Sequence, residues 1–235
     1  MGDNRPLLSI IIPSFNEDKT IGTVLENVLN LYDSMEVLAV DDGSTDGTPG
    51  ILKNFARKYP ERVRVFRHTS NQGKGKAIRT ALHHASGDIT IIQDADLEYD
   101  PADISRVIAP IAEGKADVVY GSRIRGGNPR SYFSFYWGGR LLSLITSLLY
   151  HVHITDEATC YKAFKTDVLK KMNLECTGFE FCPEVTAKAI RAGYKIHEVP
   201  ISYYPRSFNE GKKIGWQDGL TAIYTLFKYR FHKTG

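Results

Sequence analysis

The sequence predicts an α/β fold with a Rossmann-like, mostly parallel sheet that carries helices on both faces. Two observations predict it. Short apolar runs rich in β-branched residues alternate with segments whose apolar residues recur at helical spacing. Polar motifs follow directly on four of these runs. Strands that helices cover on both faces are expected to be continuously apolar. A chain of 235 residues is long enough to form one large domain with a substantial core or two small domains.

Strands and helices are expected in alternation along the first half of the chain. The predicted strands are 7–12, 36–40, 62–66, 88–93 and 116–121. Helical spacing over 21–32 follows the first strand, and Thr48 before Pro49 predicts the N-cap of the second helix. A third helix is expected over 74–85 and a fourth after Asp100. Strands alternating with helices of this length indicate a mostly parallel sheet.

Composition and charge argue against several classes of protein. The formal net charge is only +3, which does not favour a nucleic-acid binder. Three cysteines without C-x-x-C spacing argue against a disulfide framework and a zinc site, and fit a reducing compartment. The N-terminus lacks a signal-peptide pattern. No run reaches the ~18 apolar residues of a spanning helix. A cytoplasmic location is therefore expected.

Polar motifs follow four of the predicted strands. They are PSFNE at 13–17, DDGSTDGT at 41–48, DADLE at 94–98 and GSR at 121–123. Ligands of such sheets bind at the carboxyl ends of the strands. A single carboxylate of this kind is usually an ordinary loop carboxylate or a helix cap, and we keep that interpretation for Asp46 and Asp100. Four motifs at one edge of the sheet predict a binding site.

The acidic motif around Asp94, Asp96 and Glu98 predicts a site for a divalent cation. An EF-hand loop would need Gly and Glu where this chain has Tyr99 and Ser105. A glycosidase pair would need two carboxylates ~5–10 Å apart on opposite sides of a sugar, whereas Asp94 and Asp96 lie on one short segment. Close carboxylates without a basic neighbour are typical of a Mg²⁺ or Mn²⁺ site that phosphate oxygens complete. A bound diphosphate is therefore expected, although neither a P-loop nor G-x-G-x-x-G is present.

Five motifs together resemble family 2 glycosyltransferases of the GT-A fold. They are IIIPSFNE, VDDGSTDGT, NQGKGKAI, QDADLEYDP with its D-x-D, and GSR, in this order. The stretch EVPISYYPRSFNEGKKIGW at 198–216 is similar to dolichyl-phosphate mannose synthases and bacterial polyprenyl-phosphate glycosyltransferases. The resemblance covers nearly the whole chain. It implies one domain over 1–235, with a nucleotide-sugar-binding half (1–125) and an acceptor and membrane-proximal half (126–235).

The resemblance also implies a reaction. It is the transfer of a hexose, with inversion, from a nucleotide diphosphate-sugar to a polyprenyl or dolichyl phosphate at the cytoplasmic face of a membrane. Mannose from GDP-mannose is the expected donor. UDP-glucose or UDP-N-acetylhexosamine donors, a soluble glycan acceptor, and a non-catalytic nucleotide-sugar or lipid-binding module stay open as alternatives. A membrane-anchoring partner subunit also stays open.

Carried over position by position, the resemblance implies a set of donor-site residues. The implied nucleotide-sugar-binding residues are Pro13, Phe15, Glu17, Asp41, Lys74, Asp94, Ala95, Asp96, Arg123, Val199, Arg206 and Lys212. Pro13, Phe15 and Glu17 would surround the base and ribose, and Asp94 would contact the nucleoside. Phe15 stands where an aromatic hydroxyl is common in the family, so a stacking role is expected of it.

The implied catalytic residues act on the diphosphate, except Arg123, which would face the sugar and the acceptor. They are Asp96, Arg123, Arg206 and Lys212. Asp96 and Glu98, which replaces a frequent Gln, would hold Mg²⁺ or Mn²⁺. Val199, Arg206 and Lys212 would come from a mobile loop over the diphosphate, where cationic groups neutralise the leaving charge. A phosphate acceptor, with a second pKa near ~6, is mostly ionised at neutral pH and needs no catalytic base.

Two segments predict contact with a membrane surface. Residues 131–154 combine an aromatic cluster with a Leu-rich stretch. They form either a core helix or an interfacial helix pair at the lipid entrance, with Arg140 binding the acceptor phosphate and Ser143 assisting. Residues 216–231 carry a second apolar stripe, and six Lys or Arg against two acidic residues follow position 203. This excess favours an anionic membrane by ~1 kcal/mol per well-placed cation. A solvated basic face is the alternative.

Overall fold

The structure, a computed structural model, describes residues 8–128, 133–206 and 215–231. Its strands form one sheet in the order β3-β2-β1-β4-β6-β5-β7. They are β1 (Leu8–Ser14), β2 (Met35–Asp41), β3 (Val63–Arg67), β4 (Ile89–Ile92), β5 (Val118–Ser122), β6 (Lys162–Lys165) and β7 (Ile196–Pro200). Only β6 runs antiparallel to its neighbours among these strands. The predicted mostly parallel α/β sheet is confirmed.

Helices alternate with the strands of the first half of the sheet. The described helices are α1 (Ile21–Leu31), α2 (Thr48–Lys58), α3 (Lys74–His84), α4 (Ile104–Ala112), α5 (Phe133–Tyr150), α6 (Thr166–Lys171), α7 (Phe181–Arg191) and α8 (Trp216–Phe231). Every residue of β1, β2 and β4 is buried, so the centre of the sheet is covered on both faces. The polar motifs at the ends of these strands consequently meet at one edge of the sheet.

The start of α2 differs from the prediction. Thr48 is the first residue of the helix and not its N-cap, and Asp46 accepts a hydrogen bond from the Thr48 N–H at 2.9 Å. The Thr48 hydroxyl instead accepts from the Glu17 N–H at 2.8 Å, which ties the PSFNE loop to α2. Asp100 accepts from the Ala102 N–H at 3.0 Å. Asp100 is therefore confirmed as a helix cap, whereas Asp46 precedes the N-cap residue Gly47 and is a loop carboxylate that accepts from the backbone at the start of α2.

The sequence did not predict β6, which lies antiparallel between β4 and β5. It is only four residues long and has a lysine at each end, so it lacks the apolar run of a buried strand. Lys162 is fully buried because its Nζ donates to the carbonyl oxygens of Glu157 and Thr159, at 2.5 and 2.9 Å. The same ammonium lies 4.1 Å from the ring centroid of Tyr120.

Glu184 joins α7 to the loop before it and to α8. Its carboxylate is fully buried and accepts from the N–H groups of Glu175 and Cys176, at 2.7 and 2.9 Å. It also accepts from the Tyr229 hydroxyl at 2.9 Å and pairs with Lys188 at 2.8 Å. Burial opposes the charge, but the hydrogen bonds from Lys188 and the two backbone amides outweigh it and lower the Glu184 pKa.

Replacing Glu184 by Ala is expected to lower the free energy of unfolding by about 3 kcal/mol, because four donors lose a shared acceptor. Urea denaturation followed by circular dichroism measures this. Glu113, whose carboxylate forms an exposed ion pair with Lys115, is the matched control. Glu113→Ala is expected to change the value by less than about 0.5 kcal/mol. Equal losses in the two variants would contradict the assignment.

Candidate active site

A cavity of about 1200 Å³ opens at the carboxyl ends of the central strands. The loops after β1, β2, β4 and β5 line one end of it, through Phe15, Asp42, Asp96 and Arg123 among others. The other end lies between α5 and α8. Residues that line that end are Gly138, Gly139, Arg140, Leu142, Gly219 and Ile223. The strand-end motifs and the two apolar helices therefore share one cavity.

Arg206 contacts three carboxylates of the site, two through its guanidinium and one through its backbone. Its Nη2 lies 2.6 Å from Asp96 Oδ2, and its Nη1 lies 3.1 Å from Glu17 Oε2. The Arg206 backbone N–H donates to Glu98 Oε1 at 2.8 Å. Burial, followed by the charge of Asp94, raises the pKa of Asp96 to about 7, and Arg206 only partly offsets these effects. The site concentrates negative charge where little water reaches it.

These carboxylates fit a divalent cation whose remaining ligands come from a bound substrate. The described residues contain no ready-made cluster of three or more His, Cys, Asp or Glu side chains that would hold a metal. Asp96 and Glu98 lie two residues apart, and the Glu98 N–H donates to Asp96 Oδ1 at 3.0 Å. Mg²⁺ is often held by one or two carboxylates together with phosphate oxygens and water. The Arg206 guanidinium shows that the site already holds one positive charge.

Lys74 and Asp94 form an ion pair on the wall of the cavity. Lys74 Nζ lies 2.5 Å from Asp94 Oδ1, and both side chains are mostly buried. Burial lowers the Lys74 pKa, but the charge of Asp94 outweighs it and the pKa rises above its ordinary value. The Phe179 ring lies 5.9 Å from the ammonium. It is a mostly buried ion pair in the same cavity as the residues that the sequence predicts to bind the nucleoside.

The start of α3 does not offer its amides to a phosphate. The Gly75 N–H donates to the Gly178 carbonyl at 3.1 Å, and the Lys76 N–H donates to the Thr177 carbonyl at 2.8 Å. A Cβ on Gly75 would lie 2.9 Å from the Gly178 oxygen, so only glycine allows this approach. The N-terminal donors that commonly bind anions are therefore occupied by the chain itself.

Arg123 is held from two directions. Its Nε and Nη2 each donate to one oxygen of Asp156, both at 2.7 Å, in a bidentate pair. Its Cζ lies 5.0 Å from the ring centroid of Tyr203. Asp156 is buried, which opposes its charge, but Arg123 outweighs burial and lowers the Asp156 pKa. The guanidinium is thereby fixed at the cavity wall beside the acidic site.

Comparison with known proteins identifies the family. A family model described as glycosyl transferase family 2 matches residues 9–172. The chain belongs to this family. The resemblance seen in the sequence motifs is confirmed, and so is the prediction that the chain is a glycosyltransferase.

Curated relatives and a solved structure support the assignment to this glycosyltransferase family. The UDP-N-acetylglucosamine–dolichyl-phosphate N-acetylglucosaminyltransferase of Methanococcus voltae is 31% identical, over 97% of each chain. The polyprenol monophosphomannose synthase of Mycolicibacterium smegmatis is 30% identical, over 88% of this chain and 80% of its own. Glucosyl-3-phosphoglycerate synthase from Mycobacterium tuberculosis, solved with Mn²⁺, UDP and glucosyl-3-phosphoglycerate, has a TM-score of 0.73 at 20% identity, over 99% of this chain and 82% of its own. That likeness establishes the GT-A fold.

Most of the donor-site residues predicted for this glycosyltransferase line the cavity. They are Pro13, Phe15, Glu17, Lys74, Asp94, Ala95, Asp96, Glu98, Arg123 and Arg206. Lys212 lies outside the described residues. The prediction that Val199 belongs to a mobile loop is wrong, because it lies in β7 and packs against the core. The sequence around Val199 did not indicate a strand because β7 is only five residues long and contains the charged Glu198.

Two further predicted residues do not line the cavity. Asp41 is buried at the end of β2 and pairs with Arg67 at 3.0 Å, whereas the adjacent Asp42 lines the cavity. Ser143 is also buried; its hydroxyl donates to the Gly139 carbonyl at 2.9 Å and accepts from the Glu157 N–H at 3.0 Å. Ser143 therefore supports the helix and the loop beside Arg140, which does line the cavity.

Sequence reasoning missed many residues that line the cavity, among them Asp42, Asp156, Phe179 and Tyr203. Asp42 was inside the quoted DDGSTDGT motif, but nothing in a pair of aspartates tells which one faces the ligand. Tyr203 lies in YYPR, where one tyrosine is buried and the next is exposed. Alternation in an extended segment could have indicated that only one of the two faces inward.

Helices α5 and α8 pack on each other and leave apolar side chains exposed, some of them at the mouth of the cavity. The Tyr150 hydroxyl donates to the Leu226 carbonyl at 2.7 Å within their contact. The exposed side chains, 45–76% accessible, are Trp137, Leu141, Leu144, Leu148, Trp216, Leu220, Tyr224, Phe227 and Phe231. The described part of residues 131–154 contains one helix, α5, rather than a helix pair. One side of α5 belongs to a hydrophobic cluster, as the core interpretation predicts, whereas contact of its exposed side with a membrane stays a prediction. In that part of the chain, no helix combines the length and apolarity needed to cross a bilayer.

Proposed function

We propose that this glycosyltransferase transfers a hexose, with inversion, from a nucleotide diphosphate-sugar to a polyprenyl phosphate at the cytoplasmic surface of a membrane. One observation carries the proposal: the cavity that contains the acidic site continues between α5 and α8, whose outer surfaces are apolar and exposed. An isoprenoid phosphate needs a polar site for its phosphate and an apolar surface for its hydrocarbon chain. The names of the two curated relatives contain dolichyl-phosphate and polyprenol, and they support this acceptor class.

On the donor side, Asp96 and Glu98 would hold Mg²⁺ or Mn²⁺. A bound divalent cation neutralises the charge that develops on the leaving nucleoside diphosphate. Arg206, whose guanidinium pairs with Asp96 and Glu17, would turn to the diphosphate and add a second positive charge. Lys212 is proposed for the same role from its position in the sequence. The nucleoside would lie along Phe15, Glu17 and the Lys74–Asp94 pair.

On the acceptor side, Arg123 and Arg140 would bind the phosphate. Both line the cavity, Arg123 near the acidic site and Arg140 on α5. A phosphate monoester, with a second pKa near ~6, already carries the attacking oxygen in ionised form. The chain therefore has to position and desolvate this oxygen opposite the leaving group rather than remove a proton from it.

Donor identity can be tested directly. We propose mannose from GDP-mannose, and the Methanococcus voltae relative makes UDP-N-acetylglucosamine the second candidate. Purified protein with Mn²⁺ and polyprenyl phosphate is incubated with each radiolabelled donor, and label is counted in the organic phase. Label from one of the donors supports the function. Absence of label with GDP-mannose, UDP-glucose and UDP-N-acetylglucosamine, or transfer to a phosphate-free glycan instead, would overturn it.

The role of Arg140 leads to a kinetic prediction. Arg140→Ala is expected to raise the KM for polyprenyl phosphate at least ~10-fold, because one charge-assisted contact to the phosphate is lost. The KM for the nucleotide sugar should stay within about two-fold, since Arg140 lies at the acceptor end. Arg57→Ala, an exposed arginine on α2, serves as the control. An acceptor KM that does not change would exclude Arg140 from phosphate binding.

The outer surface of α5 leads to a membrane-binding prediction. Leu144 and Leu148 are 55% and 67% exposed and lie one turn apart. Changing both to Glu is expected to weaken binding to anionic phospholipid vesicles at least ~10-fold, because two apolar contacts are lost and two like charges are introduced. Vesicle co-sedimentation measures this, and Leu31→Glu on α1 is the control. Transfer to a short, water-soluble polyprenyl phosphate should be unchanged. Vesicle binding equal to that of the unchanged protein would remove α5 from the membrane contact.

A further inference from the structure

We infer that Tyr203 is a positioning residue that couples the cation-binding carboxylate Glu98 to the acceptor-side guanidinium of Arg123; this inference rests on the proposed function. Tyr203 lines the cavity and is only 6% exposed. Its hydroxyl donates to Glu98 Oε2 at 3.0 Å, and its ring centroid lies 5.0 Å from Arg123 Cζ. One side chain thus contacts both halves of the site.

The hydroxyl of Tyr203 determines how Glu98 is oriented. The second carboxylate oxygen, Oε1, accepts from the Arg206 N–H at 2.8 Å. The Glu98 carbonyl accepts from the Tyr204 N–H at 2.9 Å. Of these three contacts, only that from Tyr203 comes from a side chain, and it holds the oxygen that the Arg206 amide does not. Groups that orient a ligating carboxylate in this way typically contribute 10–100-fold to metal affinity.

The ring of Tyr203 determines where Arg123 lies. Asp156 binds the guanidinium edge-on through two hydrogen bonds, which leave the planar group able to tilt about that edge. The face of Tyr203 removes this freedom by a cation–π contact. The Tyr99 ring packs against Tyr203 in a T-shaped contact, at 5.3 Å between centroids. The hydroxyl therefore acts on Glu98 and the ring on Arg123, and mutation can separate the two contacts.

Tyr203 is itself firmly anchored. Its backbone N–H donates to Asn128 Oδ1 at 2.9 Å, and the preceding Ser202 N–H donates to Asp103 Oδ2 at 2.6 Å. Asn128 also donates to the Ile201 carbonyl at 2.6 Å. These contacts use side chains from other loops, so the Tyr203 backbone should keep its position when the side chain is changed. A substitution then tests the side-chain contacts rather than the course of the chain.

Two variants test the inference. Tyr203→Phe removes only the hydroxyl and is expected to weaken Mn²⁺-dependent GDP or UDP binding about 10-fold, with the KM for polyprenyl phosphate unchanged. Tyr203→Leu removes the ring as well and is expected to raise the acceptor KM about 5-fold in addition. Tyr204→Phe, on the neighbouring tyrosine that is 59% exposed, is the control and should match the unchanged protein.

The measurements are isothermal calorimetry with Mn²⁺ and nucleoside diphosphate, steady-state kinetics, and thermal denaturation of each variant. Unchanged Mn²⁺-dependent binding in Tyr203→Phe would overturn the inference. So would equal shifts of donor and acceptor constants in both variants together with a lowered Tm, because that pattern indicates a structural role only. Calorimetry needs no acceptor. If the unchanged protein transfers no sugar to polyprenyl phosphate, the proposed function fails while the contact of Tyr203 with Glu98 is still tested.

Discussion

Asp96→Asn is expected to lower the rate of sugar transfer by at least ~10³-fold, the larger end of what a single electrostatic group contributes in an active site. The substitution keeps the shape of the side chain and removes its charge. Asp96 is the carboxylate on which the acidic site converges: it pairs with Arg206, accepts the Glu98 amide, and lies buried beside Asp94. An amide at this position is a poor ligand for a hard divalent cation, and Mn²⁺-dependent nucleotide binding should fall with the rate.

Asp100→Asn is the matched control for this prediction. Asp100 belongs to the same acidic segment, but its side chain caps the turn at Ala102, a role that Asn also fills. Transfer by this variant should stay within about two-fold of the original, since surface caps contribute to stability rather than chemistry. The assay is initial-rate transfer at saturating donor, with calorimetry for Mn²⁺ binding. If Asp96→Asn keeps a tenth or more of the activity, Asp96 does not hold the cation.

Arg206→Gln is expected to change cation binding and catalysis in opposite directions. In the free chain the guanidinium neutralises Asp96 and Glu17, so a cation that binds there has to displace it. Removing this competing charge should tighten the binding of Mn²⁺ alone about 3- to 10-fold. Transfer should nevertheless fall about 10²- to 10³-fold, because the leaving diphosphate loses a positive charge. A defect in folding would not produce tighter metal binding.

Calorimetric titration of Mn²⁺ without nucleotide measures the first effect, and initial-rate transfer the second. Arg64→Gln is the control, because Arg64 also pairs with a carboxylate, Glu36, but does not line the cavity. Neither quantity should change in that variant by more than about two-fold. Weaker binding of Mn²⁺ alone by Arg206→Gln would show that the guanidinium supports the cation site rather than competing for it.

The sequence alone was enough for the architecture and for the place of the site. Continuous apolar runs can be buried on both faces only in a covered, mostly parallel sheet, and such sheets bring the ends of their strands to one edge. Asp94, Asp96, Glu98 and Arg123 were predicted together for this reason, and they line one cavity. Asp46 and Asp100 were separated from them correctly because the carboxylate of each accepts from the backbone N–H two residues later.

Tertiary structure alone decided how distant segments complete the site. The antiparallel β6, the pairing of Asp156 with Arg123, and the contact of Tyr203 with Glu98 join residues far apart in the chain. Local patterns carry no information on such pairs. The sequence likewise marked α5 and α8 as apolar, but which surface each covers depends on their packing against each other. Hydrophobic periodicity and the positions where strands end are local properties that the sequence determines. The partner of each buried charge comes from a distant segment and is fixed only when the chain has folded.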